Sequence, residues 1–170
     1  MNLRIVEKED LPLAAEWTNN PDFMGEYNPL IQVSREDIQK KYETPPHEGG
    51  YFFIEKKDGT KIGYVQHFLA TGKLLEIGYA LTPNERGKGY CTEAVKIILD
   101  YLFLSKSIVR VQAITEVRNV GSQKVLEKNG FTKEGVVRKS YFARGEWRDM
   151  FLFSILREEW KEPKILAETP

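Results

Sequence analysis

The chain has 170 residues, one cysteine, two histidines and 25 basic against 25 acidic side chains, so its formal charge is zero. That length fits one domain over 1–170 with enough chain to bury a core, and a neutral balance excludes the broad basic face that nucleic-acid binding needs. No run approaches the ~18 apolar residues of a membrane span, charge at Glu7 to Asp10 argues against a secretory leader, lone Cys91 excludes an internal disulfide, and His47 and His67 lack metal-ligand spacing, so no metal and a reducing, cytoplasmic setting are expected.

Leu3 to Glu7 reads as a first strand. Asp10 can cap a helix that carries Pro12 in its first turn and runs to about Asn20. Asn19-Asn20-Pro21-Asp22 breaks it, and Ser34 then caps a second helix, with Asp37 completing a variant capping box. Pro45-Pro46 ends that helix, and Glu48-Gly49-Gly50 extends the loop. Tyr51 to Glu55 and Ile62 to Leu69 flank Asp58-Gly59, a two-residue hairpin signal. Thr71-Gly72 makes the next turn, and Leu74 to Leu81 is a third strand stopped by Pro83. Gly87 to Leu104 reads as a long helix, Arg110 to Val117 as an alternating strand, and Gly121 to Asn129 as a helix with Gly130 at its C′ position. Phe131 to Val137 and Met150 to Leu156 look like a closing antiparallel pair with a long connection, and 157–170 is a charged tail. The order β-α-α-β-β-β-α-β-α-β-β implies an α+β fold. Its sheet is mixed and mostly antiparallel, with one parallel pair made by the strand–helix–strand unit from 74 to 117.

The stretch Asn84-Glu85-Arg86-Gly87-Lys88-Gly89-Tyr90-Cys91-Thr92 joins a strand end to a helix start. Its glycines let backbone approach a ligand closely. Orphan amides and the helix dipole favour a phosphate there, and Arg86 and Lys88 add positive charge. It is neither a Rossmann fingerprint nor a Walker loop, since the third glycine and the Ser/Thr after Gly-Lys are missing. On this stretch alone, an anion site and a plain helix cap with two loop glycines both fit.

The neighbouring residues favour the anion site. Asn84 to Gly89 resembles the Gln/Arg-x-x-Gly-x-Gly/Ala pyrophosphate motif of the GNAT (Gcn5-related) N-acetyltransferases, with Asn84 departing at the first position. Glu76-Ile77-Gly78-Tyr79, Asn119 to Ser122, Glu127-Lys128-Asn129-Gly130-Phe131 and Gly145-Glu146-Trp147-Arg148-Asp149 are similar to the ribosomal-protein-alanine acetyltransferase branch. The resemblance implies a GNAT fold whose parallel strands splay, and acetyl-CoA as cofactor. It implies that backbone amides of Arg86, Gly87, Lys88, Gly89, Tyr90, Cys91 and Thr92 hold the pyrophosphate. The strand through Tyr79, Ala80 and Leu81 would pair with pantetheine, aided by Asn119, while Lys124 and Lys128 border the phosphates.

Acetyl transfer needs a base for the amine, a donor for the oxyanion and a proton for the thiolate. The resemblance points to Glu76 as base, directly or through water, and to a backbone amide near Tyr79 to Leu81 as oxyanion donor. The family's tyrosine acid is replaced by Leu126; Ser122 takes that role or is a helix cap, and Tyr141 is a distant substitute. Cys91 reads as a packing residue. Trp17, Glu26, Tyr27 and Tyr141 are candidates for the acceptor wall. Residues 7–26 carry six carboxylates against Lys8, which suits a cationic amine if they face the cleft. An α-amine, with a pKa of ~7.7–8.0 against ~10.4 for a lysine, asks less of one base. The expected acceptor is a protein N-terminus, with a polyamine or aminoglycoside, or CoA binding with little catalysis, as alternatives. The assembly is expected to be a monomer or homodimer.

Overall fold

A computed structural model describes residues 1–43, 49–70, 72 and 74–161. One sheet holds β1 (Asn2–Ile5), β2 (Gly50–Glu55), β3 (Lys61–Leu69), β4 (Leu75–Leu81), β5 (Arg110–Glu116), β6 (Thr132–Ala143) and β7 (Glu146–Leu156), in the spatial order β1-β2-β3-β4-β5-β7-β6. All neighbours are antiparallel except β4 and β5. That parallel pair lasts for two rungs, Leu75 opposite Val111 and Glu76 opposite Gln112, and then the strands part.

Side chains alternate across a strand, so each strand feeds two cores. On one face Val65, Ile77, Val111, Ala113, Phe153 and Ile155 pack against α4 (Tyr90–Ser105) and α5 (Val120–Lys128) through Val95, Leu99, Leu102 and Leu126. On the other, Phe53 meets Leu11, Ala14 and Trp17 of α1 (Leu11–Asn19) and Phe23 of the short α2 (Pro21–Met24). A third helix, α3 (Arg35–Glu43), follows a capping box in which Ser34 Oγ accepts the Asp37 amide at 3.0 Å. Among the described residues, no helix is long and apolar enough to cross a membrane.

Several local expectations change. Asp10 stands before α1 without capping it by side chain, because its carboxylate accepts from Arg4, Lys61 and the Glu7 amide instead. The Asn19–Asp22 break holds a further helical turn, α2, capped by Asn20 Oδ1. Asp58-Gly59 sits in a longer loop, with the Lys56 amide bonded to Thr60 and the Gly59 amide to Lys56. The glycines at 87 and 89 lie outside α4, both at positive φ (77° and 89°).

The long connection expected at 139–147 is mostly strand. β6 and β7 continue to a tight turn at Arg144-Gly145, both left-handed, as a tight hairpin turn requires. A register shift between Val137 and Tyr141 interrupts the alternation that would reveal the hairpin. There Lys139 has φ 48°, and its amide bonds Asp149 Oδ1 at 2.8 Å. Pro45, Pro46, Glu48, Thr71 and 162–170 lie outside the described residues.

Candidate active site

The parting of β4 and β5 opens a cleft of about 530 Å³. The Thr82 amide bonds the Ile62 carbonyl in β3. Hydrogen-bonding direction alternates along a strand, so the main-chain groups of Leu81 and Tyr79 face the opening. Leu81 spends its carbonyl on Arg86 Nε at 3.1 Å. The Tyr79 main chain and the Leu81 amide are therefore the strand edge available to an extended ligand.

The glycine loop forms one wall. Gly89 is the N-cap of α4 and offers no side-chain cap, and the first intrahelical bond runs from the Glu93 amide to the Gly89 carbonyl. The amides of Tyr90, Cys91 and Thr92 thus lack intrahelical acceptors. A Cβ at Gly87 or Gly89 would meet no atom within 4 Å, so the space before the loop is open. Lys124 and Lys128, one turn apart on α5, also line the cleft, with no carboxylate at ion-pair distance among the described residues. Orphan amides, open glycines and two unpaired cations fit a polyphosphate ligand. Arg86 and Lys88 contribute less free charge than expected, because the Arg86 guanidinium bonds backbone carbonyls and Lys88 pairs with Glu85 at 3.1 Å. Lys88 and Tyr90 do not line the cleft.

Within the cleft lining the Tyr79 hydroxyl meets Ser122 Oγ at 2.9 Å. Burial pushes the Tyr79 phenol well above its ordinary pKa, so it stays neutral. Ser122 does not cap α5 with its hydroxyl; Asn119 Oδ1 does so by accepting the Ser122 amide at 3.0 Å. That leaves the Asn119 Nδ2 group for a ligand. Leu126 is fully buried in the core. Cys91 lines the cleft, and burial pushes its thiol up to about 12, against a smaller lowering by Arg86.

Residues Phe23 to Asn28 form the opposite lip, and of these only Glu26 and Tyr27 were expected from sequence. Phe23, Met24, Gly25 and Asn28 lie between the expected helix break at Asn19–Asp22 and the Ser34 cap, a stretch that shows no periodicity or motif to mark it. Tyr27 is raised above its ordinary pKa by burial and by the neighbouring Glu26 carboxylate. Trp17 is not part of the lip; it is buried and stacks on Phe23 at 4.7 Å. Tyr141 is half-buried on β6 opposite Arg148, outside the cleft lining. Glu76 also lies outside it, buried at the last paired rung and accepting Gln112 Nε2 at 2.9 Å. Burial pushes its carboxyl above the ordinary range, partly offset by that bond.

The acidic stretch 7–26 does not form one acceptor face. Asp10 is buried between Arg4 and Lys61, and Glu9 and Glu16 line a separate groove beside Arg35. Of the six carboxylates only Glu26 borders the cleft.

A mixed sheet split at its one parallel pair, with an open glycine loop feeding a helix start beside the split, defines an acyl-CoA-dependent transferase. Residues 1–132 match the acetyltransferase (GNAT) domain family. The chain is 33% identical over 164 residues to the probable N-acetyltransferase YjcK of Bacillus subtilis, covering 89% of each. It is 25% identical to the spermidine N(1)-acetyltransferase of Escherichia coli K12 over 167 residues, 94% of this chain and 88% of that one. Among solved structures, the ribosomal-protein-S5-alanine acetyltransferase of Vibrio fischeri superposes with a TM-score of 0.80 at 27% identity, covering 94% of both chains. The chain belongs to the GNAT acetyltransferase family, and its class is that of an acetyl-CoA-dependent N-acetyltransferase.

Proposed function

We propose that the chain, acting as one domain, acetylates the α-amine of a protein or peptide N-terminus. The observation that carries this reading is charge: Glu26 is the one carboxylate among the described residues that line the cleft. Beyond it, Glu116 and Glu146 are both engaged by Arg118. A polyamine brings several ammonium groups, each wanting an acceptor; a peptide N-terminus brings one. Acetyl-CoA supplies the thioester when bound. The amides of Gly87 to Thr92, with Lys124 and Lys128, hold its phosphates, and the Tyr79 strand edge and Asn119 hold its pantetheine arm. Glu26 and Tyr27 receive the amine. Glu76 removes the amine's proton through water, a Tyr79–Leu81 amide faces the oxyanion, and the Ser122 hydroxyl faces the departing sulfur.

A polyamine acceptor is the second reading, favoured by the E. coli spermidine relative. Thiol release from acetyl-CoA, measured with alanine- and serine-initiated peptides, spermidine and an aminoglycoside, separates the two. The expected result is the highest kcat/KM for a peptide. Preference for spermidine overturns the proposal, and CoA binding without turnover of any acceptor overturns the enzyme reading.

A further inference from the structure

Arg86 opens the phosphate loop, yet its guanidinium turns back toward the lip. Nη2 donates to the carbonyls of Asp22 at 2.9 Å and Phe23 at 2.7 Å, while Nε donates to Leu81. All three acceptors are backbone oxygens. Two belong to α2, a four-residue helix whose last carbonyls have no intrahelical partner. No carboxylate lies at ion-pair distance from Arg86 among the described residues. Reaching several oxygens on two segments at once suits the planar fork of an arginine; a lysine ammonium is a point charge without that geometry.

The far end of the lip is held in the same way. Arg144, at the tip of the β6–β7 turn, donates to the carbonyls of Asn28 at 3.2 Å and Gly25 at 3.1 Å. Arg148 donates to the Glu26 carbonyl at 3.1 Å. The lip thus hangs between guanidinium anchors, and of these only Arg86 belongs to the cofactor loop.

We propose that Arg86 is a positioning residue that ties the acceptor lip at 22–28 to the cofactor loop, rather than a ligand of the cofactor phosphates. This rests on the acetyl-transfer reading for its consequence but not for its geometry. Phosphate binding to the loop amides then orders the lip through Arg86, and the acceptor meets a lip already set.

R86K and R86Q of the full chain test this, with thermal unfolding confirming that each is folded. CoA affinity is read by calorimetric titration, and lip order by hydrogen exchange over 21–28 with and without CoA. Both variants are expected to bind CoA within about threefold of the parent, while lip exchange speeds by about tenfold and no longer slows when CoA is added. With the acceptor that the screen identifies, KM for the acceptor rises about tenfold and KM for acetyl-CoA stays within about threefold. Loss of CoA affinity in R86Q with retention in R86K makes Arg86 a phosphate ligand and overturns the proposal, as does unchanged lip exchange in both variants. Should the parent acetylate no acceptor, the proposed function falls, and calorimetry and exchange still decide the role of Arg86. If R86Q does not fold, R86K decides alone: unchanged lip exchange overturns the proposal, and faster exchange with CoA affinity kept supports it.

Discussion

The Tyr79 hydroxyl lies 2.9 Å from the Ser122 hydroxyl and 3.3 Å from the Ser122 carbonyl oxygen, joining β4 to α5 across the split in the sheet. A phenol is a better donor than an aliphatic hydroxyl. When Tyr79 donates to Ser122 Oγ, the hydrogen of Ser122 is free to point into the cleft. Burial raises the phenol's pKa and so favours the neutral form that can donate. One bond therefore links two cleft-lining residues and, with Tyr79 as donor, leaves the Ser122 hydrogen for the sulfur it is proposed to meet.

Tyr79→Phe is expected to lower kcat about tenfold and stability by ~1 kcal/mol, the worth of one partly buried hydrogen bond. Ser122→Ala should lower kcat by a similar amount. Because one acts through the other, the double variant should be no slower than about the worse single one, a coupling of ~1.4 kcal/mol in a double-mutant cycle. Steady-state kinetics on the four proteins would show independent action if the two losses simply multiply.

Gly89→Val probes the loop. With φ at 89° a branched residue is strained by ~1–2 kcal/mol. Its side chain would meet no protein atom within 4 Å of the Cβ and would fill the open space before the amides of 90–92. CoA affinity is expected to fall by about a hundredfold while the chain stays folded, since backbone approach to a phosphate is what the glycine permits. Calorimetric titration with CoA checks this, and affinity kept within a factor of about three shows that the phosphates sit elsewhere.

Much of the sheet was legible because side chains on one face of a strand recur at every second residue, as with Val111 and Ala113, which share the core under α4 and α5. The glycine loop was legible from two glycines and two cations ahead of a helix together with the motifs that flank it, whereas the positive φ of Gly87 and Gly89, which keeps both outside α4, was not. The lip beyond Glu26 and Tyr27 was not, since α2 is too short to show a period and the lip is held by Arg86, Arg144 and Arg148 from distant parts of the chain. The 7–26 charge sum misled for the same reason: local counting cannot see that Asp10 is claimed by Arg4 and by Lys61, 51 residues away.

Asp10 gives a stability test. Burial pushes its carboxyl up, but hydrogen bonds from Arg4, Lys61 and the Glu7 amide outweigh this and hold its pKa well below the ordinary aspartate value of 3.8. A depressed carboxylate contributes stability that is fully present above the unfolded pKa. That contribution is lost as pH falls below about 4 toward the folded value. Asp10→Asn should cost ~2–3 kcal/mol at neutral pH, because it leaves Arg4 and Lys61 without their buried partner. The loss should shrink as pH drops through that window. Urea titrations at several pH values check both, and a pH-independent difference removes the ion cluster as its cause.

Glu76 carries the last prediction. It belongs to the final rung of the parallel pair, three residues before Tyr79, the first residue of β4 to line the cleft. Burial raises its pKa, and Gln112 lowers it again in part. A base must be ionised to work, so activity falls as pH drops through that pKa, and a raised value moves this acid limb from the carboxylate range toward neutrality. Glu76→Gln keeps the shape and a hydrogen-bonding partner for Gln112. It is therefore expected to change stability by less than ~1 kcal/mol, lower kcat by about a hundredfold and abolish the limb. Gln112→Ala removes the bond that favours the charged form, so the limb should move to higher pH while CoA affinity is kept. The pH dependence of kcat/KM in the parent and both variants tests the assignment. An acid limb that survives in Glu76→Gln belongs to another group, and Glu26, the carboxylate that borders the cleft, is then the one to replace.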